Sequence, residues 1–161
     1  MTDTKSDILE AYWVEQSKHT LVMGRLFSAI TVVCIIGFMF QDVLVFGIGW
    51  FTALRLIGLV PAIAFLIKAY TTFRRDVSRV IPYHTTVLAC TFVQICAITF
   101  ALWHAGPDLA GYEYGTTQGI TAVALVAFLL AGGARRYVPL FLSIPFSALM
   151  ILLLSVSGRQ I

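Results

Sequence analysis

The sequence predicts an all-α integral membrane protein: a five-transmembrane-helix bundle preceded by a short N-terminal cytoplasmic interfacial helix. Three observations carry that expectation. Of the 161 residues, 59% are hydrophobic and 12% are charged, whereas soluble domains carry about a quarter charged residues. The apolar residues gather into runs long enough to cross a hydrocarbon core of about 30 Å, for which a helix needs about 20 residues. The basic residues, finally, crowd onto one set of connections. So few charged side chains cannot coat a water-facing surface of this length. A soluble globule, a disordered chain and a collagen are excluded on the same grounds. Cys34, Cys90 and Cys96 are odd in number and each lies inside an apolar run, so a disulfide-stapled fold is excluded as well.

The elements follow in order. Residues 1–20 carry Asp3, Lys5, Asp7, Glu10, Glu15 and Lys18, which is no cleavable secretory signal. Ile8, Leu9, Tyr12 and Trp13 recur at helical spacing among those charges. They predict a short helix lying on the cytoplasmic leaflet, the other reading being a plain extension of the first span. A transmembrane domain occupies residues 21–161, with spans at 21–40, 50–69, 82–103, 114–134 and 137–157. The alternating ten-residue strands of an outer-membrane barrel are missing from the pattern. Pro61 in the second span, with Pro139 and Pro145 in the fifth, removes backbone donors and should bend those helices. Gly119, Ala122, Ala124, Ala127 and Ala131 suit close helix–helix approach in the fourth. Gly132-Gly133 before Arg135-Arg136 reads as a tight turn beside lipid headgroups.

Orientation comes from the connections. Lys5, Lys18, Arg25, Lys68, Arg74, Arg75, Arg79, Arg135 and Arg136 fall on one face, and only Arg55 and Arg159 on the other. The populated face is cytoplasmic by the positive-inside rule. The chain is therefore expected in a cell inner membrane with its N-terminus in the cytoplasm and Ile161 outside. Tyr and Trp mark the same boundaries: Tyr12, Trp13, Tyr70, Tyr83 and Tyr137 at one edge, Trp50, Trp103, Tyr112 and Tyr114 at the other. The net charge of +3 resides at these headgroup-level ends, so the expected partner is the lipid bilayer and not nucleic acid.

Polar groups within the spans are the candidate functional residues. Arg55 lies about 8 Å below the start of the second span at 1.5 Å per residue. An arginine at the bilayer centre costs roughly 2.5–3.5 kcal/mol on the insertion scale. It either snorkels outward or pairs structurally with Asp42 or Glu113, or it is a buried cation that binds a counter-ion or ligand. Gln118 and Thr121 share a face of the fourth span, just below Tyr114. With Tyr114, Trp50, Trp103 and His104 they would line an outward-facing pocket around Arg55, apolar-walled with a few polar anchors. The plainer reading is interhelical hydrogen bonding beneath an aromatic belt, and Gln94 reads as interhelical glue. His19 and His84 make one haem-type axial pair conceivable, but both fall at the cytoplasmic edge, where histidines are ordinarily solvated. No cofactor or metal is expected. Neither a phosphate loop nor a nucleophile–base signature is present in the sequence, so the chain is not expected to be an enzyme. Acidic residues for ion coupling and repeated halves are missing from the predicted spans, which makes a small transporter the weakest reading.

One resemblance adds to this. Arg25 opens the first span, Asp42 lies just beyond it, and Phe73-Arg74-Arg75 follows the second. Tyr114-Gly115 ends a short outer loop, and Arg135-Arg136 precedes a Leu-rich fifth span. In this order the chain resembles the multi-pass, usually six-helix, N-terminal input modules of bacterial membrane receptors. Such modules precede adenylate or diguanylate cyclase domains or histidine kinases, and some sense small lipophilic signals. The resemblance implies a homodimer or larger membrane complex, with a receptor site near Arg55. The departure is in number, since five spans are predicted and not six. The alternative is a stand-alone integral membrane subunit that binds a partner protein, lipid or pigment.

Overall fold

The structure, a computed structural model, describes residues 3–73, 75–105, 126, 127, 129–137, 139 and 143. Three helices make up most of this: α1 (Asp3–Phe46), α2 (Trp50–Tyr70) and α3 (Val80–Ala105). A 3-10 turn follows at Gly132–Tyr137. Among the described residues there is no strand. Helices are what hydrocarbon demands, because each satisfies its own backbone donors and acceptors. Among the described residues three helices, not five, are long and apolar enough to cross a membrane. They correspond to the predicted spans 21–40, 50–69 and 82–103. The spans predicted at 114–134 and 137–157 fall largely outside the described residues.

Two expectations are corrected. The N-terminal segment forms no separate interfacial helix: α1 runs unbroken for 44 residues. The sequence has no Gly or Pro from Asp3 to Met23, and a change from polar to apolar composition does not by itself interrupt a backbone ladder. The same helix continues past Phe40 to Phe46, so Asp42 lies within it and not beyond it. An acidic residue therefore does sit inside a span.

The α1–α2 connection is three residues, Gly47-Ile48-Gly49. Gly47 sits at φ +75°, a left-handed position that suits glycine at a helix C-terminus. Its N–H donates to the Val43 carbonyl at 3.0 Å. At the other end of α2, the N–H groups of Thr72 and Phe73 both donate to the Lys68 carbonyl at 2.9 Å. Arg25 on α1 donates through Nη2 to the Ala69 carbonyl at 2.6 Å, a cation placed at the negative end of the helix dipole. Pro61 lies inside α2 without ending it.

The three helices pack on one another, and their buried residues keep one rhythm. On α1 the seam is Ser17, Leu21, Gly24, Ser28, Thr31 and Ile35, with Asp42 one heptad later and Thr20 and Phe27 buried beside it. On α2 they are Phe51, Arg55, Gly58, Ala62, Phe65 and Ala69. On α3 the seam is Val80, His84, Val87, Thr91, Gln94, Ile98 and Ala101, with Leu88 and Phe92 buried beside it. Steps of three and four residues, averaging three and a half, are the seam of left-handed helix packing. Large apolar side chains such as Val33, Phe40, Val60 and Phe100 point outward, as lipid-facing surfaces do.

The seams are notched by glycine. A Cβ at Gly24 would run into the Phe65 ring and approach His84, and one at Gly58 would collide with Gln94. The 3-10 turn seats in the same way, for the N–H of Gly133 donates to Thr20 Oγ1 at 2.7 Å. The Thr20 hydroxyl in turn donates to the Gln16 carbonyl. The tight turn expected at Gly132-Gly133 thus has a specific dock on α1.

Candidate intramembrane ion-pair site

Arg55 is held by α2, and the short glycine turn returns α1 beside it at the same depth. Its Nε donates to Asp42 Oδ2 at 2.8 Å, and its Nη2 donates to Asp42 Oδ1 at 3.2 Å. This is the two-pronged geometry in which a guanidinium and a carboxylate match best. The pair is sealed: Arg55 is 8% exposed and Asp42 1%. The Phe38 ring lies 4.9 Å from the guanidinium carbon, adding a cation–π contact. Toward the hairpin tip, Phe46 and Phe51 stack at 4.5 Å, and Trp50 packs on Phe51 at 4.3 Å. From Val43 to Leu54 the sequence has no charged residue, so the hairpin tip beyond the pair is uncharged.

One turn deeper, Gly58 on α2 faces Gln94 on α3 and Ile35 on α1. Gln94 is buried, and its Oε1 has no hydrogen-bond donor; the Thr52 hydroxyl, three residues before Arg55, is likewise buried without a partner. The region therefore combines a neutralised charge pair with unspent hydrogen-bonding capacity. Chemically, such a pair can exchange one partner for another anion or hydrogen-bonding group.

No family model, curated protein or solved structure matches this chain. What it does must therefore be argued from its own residues.

Arg55 is the centre of the site, and of the two structural partners expected for it the structure supplies Asp42. Glu113, the other, lies outside the described residues. Trp50 is half exposed and packs at a tilt on Phe51. Trp103 and His104 fall in the last turn of α3. Tyr114, Gln118 and Thr121 lie outside the described residues. The depth match between Asp42 and Arg55 was available in the sequence. They stand six residues before and seven after Ile48, at the centre of a glycine turn too short to offset the two helices.

His84 is a further correction. Expected at a solvated edge, it is fully buried, with the rings of Phe27 and Phe65 at 5.7 and 5.6 Å. Its Nε2 donates to the Leu130 carbonyl at 3.0 Å, which fixes the tautomer and turns the ring into a clasp on the segment around residue 130. His19, its partner in the conceivable haem pair, is exposed on α1. Among the described residues no group of three or more His, Cys, Asp or Glu could hold a metal ion.

Proposed function

We propose that the chain is a transmembrane sensory and anchoring input module of a bacterial signalling receptor, responding to a small lipophilic ligand at the level of Arg55 and Asp42. The observation that supports this is the length and continuity of α1. Its 44 residues extend about 66 Å at 1.5 Å per residue, twice a hydrocarbon core of about 30 Å. One end carries Asp42 of the buried pair. The other carries Ser6–Glu15, all exposed, past the end where α2 and the 3-10 turn dock. A rigid rod of this kind transmits a rotation or tilt at the ion pair to a point well outside the lipid. Orientation follows the basic residues, with the exposed end of α1 in the cytoplasm of a cell whose inner membrane holds the bundle. On this reading any catalytic step belongs to a separate output domain.

The gene supplies the test. A reading frame that continues past Ile161 into a further span and a soluble output domain supports the proposal. So does a full-length receptor that folds and inserts with Arg55→Met and Asp42→Leu together but no longer responds. A frame that stops at Ile161 overturns it. A second reading would then take its place: a stand-alone membrane subunit that binds a partner protein. Ile8, Leu9, Tyr12 and Trp13, all exposed on the projecting part of α1, favour that reading.

A further inference from the structure

We infer that a second copy of this chain packs against the outward face of α1, with Gly37 and Gln41 at the contact. This rests on the membrane reading of the three helices and not on the receptor assignment. Besides the buried seam, α1 carries a second seam on its opposite side. Leu26, Ile30, Val33, Gly37, Gln41 and Leu44 recur in steps of three and four, and all six are exposed. Two of them do not suit a surface that only meets lipid. Gly37 stands in the helix interior, where glycine weakens the ladder, and a Cβ built there meets nothing within 4 Å. Packing among the described residues does not require it.

Gln41 is the stronger observation. The 21 residues of α2 rise about 31 Å, which matches the hydrocarbon core of about 30 Å. That match places Arg55, and with it Asp42, inside the core. Gln41 precedes Asp42 and therefore offers an amide to hydrocarbon at the same depth, under the apolar hairpin tip. An amide in that position is unfavourable unless it finds a hydrogen-bonding partner.

The partner that fits is another copy. Identical chains insert in one orientation, so a two-fold axis along the membrane normal brings each Gln41 to its own counterpart at equal depth. A carboxamide both donates and accepts, so the contact is self-complementary, as an isologous interface must be. Gly37, one turn away, lets the two helix axes approach closely. A single polar residue in an otherwise apolar seam also sets register.

Disulfide trapping in native membranes tests the proposal, in a background with Cys34→Ala, Cys90→Ala and Cys96→Ala. Val33→Cys and Leu44→Cys should cross-link several-fold faster than Ile36→Cys and Val43→Cys, which are exposed but lie off the seam. Gln41→Leu should weaken the dimer about three- to tenfold on dilution in liposomes, read by energy transfer between labelled copies. Gly37→Ile, whose Cβ meets no atom of the described residues, should abolish the cross-link while helical content stays unchanged. Equal rates at all four positions would overturn the inference. So would a dimer indifferent to both Gln41→Leu and Gly37→Ile, or a chain that is monomeric at every lipid dilution. A monomer would leave the reading-frame test of the input module untouched, so the two failures are distinguishable.

Discussion

Arg55 and Asp42 show how much a single pair in a dry environment constrains a chain. Neither charge is tolerable alone at that depth, whereas together they form a compact neutral unit. Substituting only one should therefore be far worse than substituting both. Arg55→Leu removes a two-pronged donor from a sealed carboxylate and should cost about 3–5 kcal/mol. Arg55→Met combined with Asp42→Leu should come within about 1 kcal/mol of the parent, because a well-packed apolar pair can match a buried ion pair. A double-mutant cycle measured by reversible unfolding in mixed micelles reads the difference, and additive single effects would contradict the buried pairing. His84 makes a milder case. With His84→Phe the Leu130 carbonyl loses its donor while the ring volume is nearly kept, and the expected cost is about 1–3 kcal/mol. Faster amide exchange confined to residues around 130–134 would check it.

Among the elements, α2 and α3 meet where a side chain of one enters a glycine notch of the other. Gly58→Ala places a methyl group where Gln94 Oε1 already lies. Overpacking of this kind costs about 1–3 kcal/mol. Gln94→Ala in the same chain should recover most of that loss, and thermal unfolding of the two variants against the parent decides it. The connection between these helices carries its own small pH dependence. The N–H of Ser78 donates to Asp76 Oδ1 at 2.9 Å. Hydrogen bonds from Ser78 hold the Asp76 carboxyl below its ordinary value of 3.8, with a smaller contribution from Arg79. A depressed carboxyl contributes its ordering above the ordinary value and loses it as pH falls through the lowered one. Protection of the Ser78 amide should therefore persist at neutral pH and fade below about pH 4, and Asp76→Asn should remove that dependence.

For the molecule as a whole, the first three spans were legible because apolar length is a property of each segment alone. Trp50–Tyr70 and Val80–Ala105 stand within a few residues of where hydropathy put them. What depended on more than one segment was harder to see. The junction at residue 20 looked like a change of element, since charges give way to apolar residues there, yet nothing in the backbone breaks. Asp42 looked like a loop residue because polarity usually marks a span's end, and here a partner on the next helix removes that penalty. His84 looked solvated because only the fold brings Phe27, Phe65 and Leu130 around it. Tyr114, Gln118 and Thr121 fall outside the described residues. The apolar tip at Gly47-Ile48-Gly49 carries a last consequence, for biogenesis. Either helix entering the bilayer by itself would bring an uncompensated charge, whereas the hairpin presents only greasy side chains at its leading edge and its two charges already cancelled. Membrane entry of α1 should therefore depend on α2, and a chain cut after Phe46 is expected to insert less completely than one cut after Tyr70.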